Sequence, residues 1–244
     1  MMSLSIVIPA KNEALNLPGL LAEIDQACAG VDHEVIVVDD GSDDNTPALL
    51  ARLMGERGNL RHLRHDRSGG QSAAVHSGVR AARGAIVCTL DADGQNPPEN
   101  LPALFAPLLA PGSDRIGIVA GQRVGRRDTL SKRLASRFAN GLRGWLLQDG
   151  TRDTGCGLKA FRRDAYLLMP YFDGLRRFMP ALFRREGYDI AYVDVKDRPR
   201  RAGVSNYGFF DRLWIGIMDL AGVWWLIRRK KQVPEVTEVT TDAG

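Results

Sequence analysis

The sequence predicts an α/β sandwich around a mainly parallel central sheet, and three observations carry that prediction. Short β-branched apolar runs, "LSIVIPA" (4–10), "HEVIVVDD" (33–40) and "AIVCTLD" (85–91), alternate with stretches of helical periodicity. Each run ends on polar residues, so the loops after Ala10, Asp39-Asp40 and Asp91 gather on one edge, where ligands of such sheets sit. With 244 residues, 44% of them hydrophobic, the chain can bury the core of one domain and at most an appendage.

The elements follow in order. Leu17, Leu20, Leu21, Ile24 and Cys28 recur at helical spacing between the first two runs. "SDDNTPALLARL" begins a second helix, with Asn45 or Thr46 as N-cap and Pro47 in its first turn. "GGQSAAVHSGVRAARG" (69–84) reads as a helix rich in small residues, whose first N–H groups can meet phosphate or base oxygens. "RIGIVAG" (115–121) reads as a further strand. Residues 130–148 read as a basic amphipathic helix suited to a lipid surface, Lys132, Arg137 and Arg143 among them. "DIAYVDV" (189–195) alternates and is expected at the sheet edge.

The stretch "LWIGIMDLAGVWWLI" (213–227) is too short for a membrane span and contains Asp219. Trp224 and Trp225 precede "RRKK", a pairing suited to lipid headgroups, so it reads as an interfacial or partner-docking helix. A core helix and a true span are the other readings. The predicted organisation is a domain over 1–208, a hydrophobic segment over 209–231 and a polar, disordered tail over 232–244.

Composition narrows the function. The start shows no basic region followed by an apolar one, so no signal peptide is expected. Cys28, Cys88 and Cys156 form no CxxC pair and leave an odd count, which suits a reducing cytoplasm. The four histidines lack zinc-site spacing. Residues 1–122 hold 9 Lys/Arg against 15 Asp/Glu, whereas 123–244 hold 24 against 14, so an acidic half precedes a basic one. That order suggests a metal or nucleotide site first and an anionic partner second. No nucleic-acid recognition motif appears, and a phosphate-bearing membrane surface is the better partner.

The chemistry concentrates in "DADGQNPPE". A strand ending on Asp91, with Asp93 two residues on, can direct carboxylate oxygens toward one hard cation, and Gln95 can add a third ligand. Mg²⁺ and Mn²⁺ take such oxygens and are commonly shared with substrate phosphates. A DxD pair alone is equally the pattern of an ordinary polar loop. On the neighbouring loops Asp40 or Glu13 can accept hydrogen bonds from a base or ribose. Gly41-Ser42 permits a tight turn against a ligand, and Asp39 is read as a structural partner.

Taken together, "IPAKNE", "VVDDGSDDNT", "SGGQSAAVHSG", "DADGQNPPE", "DTGCGLKAFRR" and "RPRRAGVSNYG" resemble family 2 glycosyltransferases over about residues 3–208. These have the GT-A fold, a Rossmann-like sandwich. Within the family the set looks like the polyprenyl-phosphate branch, which includes dolichyl-phosphate mannosyltransferases and bacterial undecaprenyl-phosphate sugar transferases. The resemblance implies a metal-dependent, inverting transfer of one sugar from a UDP- or GDP-linked donor to a polyprenyl phosphate. It implies a peripheral enzyme at the cytoplasmic membrane face, with an integral membrane protein as a further candidate partner.

Carried over by position, the resemblance implies Pro9, Ala10, Glu13, Asp40, Gln71 and Asp91 at the nucleotide. It implies Asp91, Asp93 and Gln95 on Mg²⁺ or Mn²⁺, and Arg123, Arg201 and Ser205 on the acceptor phosphate. Asp153 becomes a base or an acceptor-orienting carboxylate, with an ion pair to Arg152 or Lys159 as the plain structural reading. Ala10-Lys11 replaces the aromatic residue often found in the first loop. A phosphate monoester is already anionic and needs no base, whereas a saccharide or glycolipid hydroxyl does; that second acceptor class, with Asp153 as base, is the alternative. A non-catalytic nucleotide-binding subunit is the remaining reading, and the absence of a QxxRW motif argues against a processive synthase.

Overall fold

Every apolar run named above becomes a strand. The computed structural model describes residues 3–124, 141, 143–198, 209–231 and 234. Its strands are β1 (Leu4–Ala10), β2 (His33–Asp39), β3 (Leu60–Arg64), β4 (Ile86–Thr89), β5 (Ile116–Arg123), β6 (Lys159–Arg162) and β7 (Asp189–Val195). They form one sheet of order β3-β2-β1-β4-β6-β5-β7. All pairs are parallel except those of β6, which runs antiparallel to β4 and β5. The alternating 189–195 run is the edge strand expected of it.

The helices are α1 (Leu17–Ala27), α2 (Thr46–Glu56), α3 (Gln71–Ala81), α4 (Leu101–Leu109), α5 (Arg163–Leu167), α6 (Met179–Arg185) and α7 (Phe209–Arg228). Side-chain alternation along the strands builds a core on each face. Leu4, Ile6 and Ile8 pack with α1, α2 and α4, while Val7, Ile36 and Val38 pack with α3 and α6. Helix α2 starts at Thr46 with Pro47 in its first turn, as the sequence indicates, and Asn45 at the cap makes no side-chain capping bond.

The order β3-β2-β1-β4 means that the chain winds outward through β1, β2 and β3, then returns to lay β4 on the other side of β1. A crevice opens beyond the strand ends where such a reversal occurs. Here it lies between Pro9-Ala10 and the loop after Thr89, so topology alone brings the first and third motifs together.

Helix α7 packs Val223, with Leu220, Trp224 and Ile227, against the α3/α6 core. Lys230 also pairs with Glu186 at 3.1 Å. Its other side leaves Ile215, Ile217, Met218 and Trp225 at least half exposed. No helix among the described residues is long and apolar enough to cross a membrane. Residues 143–147 are helical, within the 130–148 stretch. Arg143, read as part of a lipid-facing basic surface, instead points inward: its guanidinium makes a bidentate pair with Asp149, at 2.9 and 2.6 Å, since a buried carboxylate needs a cation. Residues 130–140 and 142 of that stretch, and all of the predicted 232–244 tail except residue 234, lie outside the described residues.

Candidate active site

The loop after β4 is held in shape by its own carboxylates. Asp93 Oδ1 accepts from the Gln95 N–H at 3.0 Å, an Asx-type turn that directs the loop back across the sheet edge. The Gln95 carbonyl accepts from the Arg198 N–H at 3.0 Å, and the Arg198 side chain also reaches the Gly94 carbonyl and Glu23. The segment leaving β7 therefore clamps this loop from outside.

Asp91 lies deeper. Gln71, the first residue of α3, donates from its side-chain amide to Asp91 Oδ1, and Asn96 donates to Oδ2 at 3.4 Å. Behind it stands Gly157, where a Cβ would come within 2.5 Å of the carboxylate, so only glycine lets the two segments approach this closely. Burial pushes the Asp91 pKa up; Arg176 opposes that shift and nearby Asp93 adds to it. Asn96, which the sequence does not single out, is buried and its Oδ1 meets no donor.

Among the described residues no three His, Cys, Asp or Glu side chains gather around a metal position. Asp91 and Asp93 nevertheless fit a hard divalent ion whose remaining ligands come from outside the chain, as when Mg²⁺ or Mn²⁺ is shared with phosphates. Burial raises the Asp91 pKa because it disfavours the charged carboxylate, and a bound divalent cation would oppose that effect.

The first two loops are tied to each other. The Ser42 hydroxyl accepts from the Asn12 N–H at 2.9 Å, and Thr46 Oγ1 from the Glu13 N–H at 3.0 Å. Glu13 itself accepts from the Asn16 side chain at 2.6 Å. Asp40, expected beside the base and ribose, braces the loop ahead of α3: it accepts from the Gly69 and Gly70 N–H groups, each at 2.8 Å, from the Ser68 hydroxyl at 2.7 Å, and pairs with His65. These bonds outweigh its burial and lower its pKa. They also engage two N–H groups that the sequence offers to a ligand. Gly41 has φ +69°, and a Cβ there would lie 2.9 Å from the Ser68 N, so its turn is tight against protein backbone. Asp39 is structural, as read: fully buried, it accepts from the Ser42 N–H at 2.8 Å.

On the far side of the crevice, β5 ends at Arg123. Its guanidinium grips Asp153 in two parallel bonds, Nε to Oδ2 at 2.6 Å and Nη2 to Oδ1 at 3.0 Å. The plain structural reading of Asp153 is thereby corrected: its partner is Arg123, thirty positions away. Arg152 turns outward to Asp194 and Gln122, and Lys159 to the Cys156 carbonyl. Burial would raise the Asp153 pKa, but Arg123 and the Gly155 N–H outweigh it and hold the carboxyl below the usual range. Arg201 and Ser205 lie outside the described residues. Cys156 is buried, and burial raises its pKa, which fits a packed hydrophobe rather than a nucleophile.

Between Asp91 and α6 lies a small recess. Pro9, Gln71, Thr89, Asp91 and Gly157 line it, together with Lys159 and Arg176. Lys159 opens β6 opposite Thr89 and is 4% exposed; burial pushes its pKa down to about 8. Sequence reading misses both cations as site residues.

The model of glycosyl transferase family 2 matches residues 5–168. An undecaprenyl-phosphate 4-deoxy-4-formamido-L-arabinose transferase of Pectobacterium carotovorum is 35% identical over 85% of this chain, which spans 63% of that relative's length. A dodecaprenyl-phosphate galacturonate synthase of Rhizobium johnstonii is 32% identical over 94% of this chain and 68% of its own. Among solved structures, glucosyl-3-phosphoglycerate synthase of Mycobacterium tuberculosis, in complex with Mn²⁺, UDP and glucosyl-3-phosphoglycerate, superposes with a TM-score of 0.68 at 22% identity. That match covers 93% of this chain and 80% of the other, and the same protein has been solved with Mg²⁺ and UDP. At that identity the likeness shows the fold, a GT-A type α/β sandwich.

Proposed function

We infer the reaction from a premise that stands by itself: the chain belongs to glycosyl transferase family 2. It moves one sugar from a nucleotide-diphosphate sugar to a polyprenyl phosphate, with inversion at the anomeric carbon. The names of the two curated relatives support a polyprenyl phosphate acceptor.

One observation carries the choice of acceptor. The base that the family resemblance implies, Asp153, is bound through both oxygens by Arg123 and has a lowered pKa. A carboxylate so held is a poor proton acceptor. An acceptor that arrives ionised needs no base, and a phosphate monoester does so near neutral pH.

The residues then divide the work. Pro9, Ala10, Glu13, Asp40 and Gln71 belong to the loops that form the donor side, with Asp40 shaping the approach to α3. Asp91 and Asp93, with Gln95 beside them, would hold Mg²⁺ or Mn²⁺. Such an ion supplies Lewis acidity toward the leaving diphosphate. Arg123, fixed in orientation by Asp153, meets the acceptor phosphate, with Arg201 and Ser205 as further contacts. A phosphate oxygen forms the new bond to the anomeric carbon. The old bond to the diphosphate breaks, its electron pair leaves with the nucleotide, and no proton is transferred.

Residues 1–208 serve as the catalytic domain and 209–231 as the part that meets the membrane surface or an integral membrane partner. The exposed Ile215, Ile217, Met218 and Trp225, with Arg228 stacked 4.9 Å over Trp224, support that role. In this proposal the protein works as a peripheral enzyme at the cytoplasmic face. The test is direct: purified protein, a divalent ion and a short polyprenyl phosphate are incubated with a panel of UDP- and GDP-sugars. A lipid-linked sugar from one donor is the result expected. Product only with a saccharide or glycolipid hydroxyl would transfer the assignment to that acceptor class.

A further inference from the structure

The loop that carries Asp93 and Gln95 has little backbone bonding capacity of its own. Pro97 and Pro98 have no N–H to donate, and the chain turns at Gly94 with φ +73°. Its carbonyls are met instead from a segment about a hundred positions away. Arg198, three residues beyond the end of β7, donates its N–H to the Gln95 carbonyl at 3.0 Å and its Nε–H to the Gly94 carbonyl. Those two carbonyls belong to the peptide units on either side of Gln95, so one residue fixes both planes. The Gly94–Gln95 peptide is engaged at each end: its oxygen accepts from Arg198, and its N–H donates to Asp93 Oδ1 at 3.0 Å. A continuous path of two hydrogen bonds therefore joins the Arg198 guanidinium to the Asp93 carboxylate.

Arg198 is itself held. Two residues earlier, Lys196 and Asn100 exchange a reciprocal pair of bonds, with the Asn100 amide donating to the Lys196 carbonyl and its oxygen accepting from the Lys196 N–H, each at 3.2 Å. Asn100 also donates to the Pro97 carbonyl at 3.0 Å, which ties the far end of the loop to the same segment. On its other side the Arg198 guanidinium forms an ion pair with Glu23 of α1 at 2.9 Å. A cation beside a metal loop would repel the metal, and the Glu23 carboxylate offsets that charge. The guanidinium is left as a donor of fixed direction.

We propose that Arg198 is a positioning residue for the metal loop, setting the course of the backbone from Asp93 to Gln95 so that both side chains serve one divalent ion. The proposal rests on the metal reading given above and deepens it. Removing a group that orients metal ligands typically costs about 10–100-fold in metal affinity. The sign of the effect separates this role from its rivals. Losing a cation near the site would by charge alone tighten metal binding, whereas losing the clamp weakens it.

Mn²⁺ is the probe, titrated into the purified full chain with UDP and, separately, with GDP, and protein-bound ion is read by electron paramagnetic resonance. Arg198→Met should raise the Mn²⁺ concentration at half-saturation by at least about tenfold while keeping a cooperative melting transition. Arg198→Lys keeps the charge but loses the planar fork, so the same shift is expected at a smaller factor, and it stands in if Arg198→Met does not fold. An unchanged Mn²⁺ midpoint in a folded variant reduces Arg198 to a structural tie and overturns the proposal. Tighter Mn²⁺ binding in Arg198→Met overturns it in favour of a charge effect. Either result leaves the metal reading intact, whereas a parent chain that binds no Mn²⁺ with either nucleotide overturns both.

Discussion

Arg123 and Asp153 meet as a fork, with Nε to Oδ2 at 2.6 Å and Nη2 to Oδ1 at 3.0 Å, both side chains largely buried. Two parallel bonds fix the plane of a guanidinium as a single contact cannot. Asp153 therefore fixes the plane of the Arg123 guanidinium, and the proposed function makes it an orienting carboxylate rather than a base. Asp153→Asn should raise the acceptor KM by about tenfold while the rate at saturating acceptor falls only a few-fold. Loss of a general base would instead remove about 10²–10⁴ from kcat, so steady-state kinetics with varied polyprenyl phosphate separates the two roles.

Gly157 tests the position of Asp91. A methyl group there would stand 2.5 Å from Oδ2 and 2.7 Å from Cγ, so the carboxylate must swing away from Gln71. Gly157→Ala should keep its melting temperature within a few degrees, because only a side chain has to move. It should weaken Mg²⁺-dependent nucleotide binding by at least about tenfold, the equivalent of about 1.4 kcal/mol. Unchanged metal-dependent binding, measured by calorimetry, would detach Asp91 from the donor site.

Acid stability has its own marker far from the site. Glu34 is buried and accepts from the Ser5 hydroxyl at 2.7 Å, the Arg61 guanidinium at 2.6 Å and the Arg83 N–H at 2.6 Å. Burial raises its pKa, but these bonds outweigh it and the net shift is downward. A lowered folded-state pKa adds stability that is fully present above the unfolded value of 4.5 and is lost as pH falls through the folded value. Glu34→Gln should lower stability at pH 7 by about 2 kcal/mol. Its difference from the parent chain should shrink below about pH 4. Denaturant midpoints measured across that range give the comparison.

Helix α7 can be tested without touching the crevice. Ile217 and Trp225 are 50% and 56% exposed and sit apart from the Val223 side that packs on the domain. Ile217→Asp with Trp225→Asp should leave the melting temperature nearly unchanged and reduce sedimentation with anionic phospholipid vesicles by at least about tenfold. Equal sedimentation of both proteins would remove the membrane role of this face.

Much of this architecture was legible, and the gaps have physical causes. Strands β1, β2 and β4 are continuous β-branched runs because both faces of a central parallel strand are buried. β3, "LRHLR", carries only two apolar residues because it is an edge strand beside β2, so it does not resemble the others. β6 has four residues and passes straight into α5, and no local periodicity marks it. Yet that short antiparallel strand places Lys159 opposite Thr89. The proposed metal loop was legible because Asp91, Asp93 and Gln95 lie within five residues. The Arg123–Asp153 fork was not, since sequence offers adjacent Arg152 as a partner while β5 supplies the true one. Arg176 enters the recess through a short 3₁₀ turn, Leu175–Arg177, whose sequence carries no chemical signature.

The central claim is that the attacking group arrives already charged. Its most direct measurement offers the enzyme, with Mg²⁺ and its working nucleotide sugar, a polyprenyl phosphate and the matching polyprenol in one reaction, and weighs the lipid products by mass spectrometry. The account predicts sugar on the phosphate alone, at the same rate with the alcohol present or absent. Sugar on the alcohol, abolished by Asp153→Asn, would contradict it.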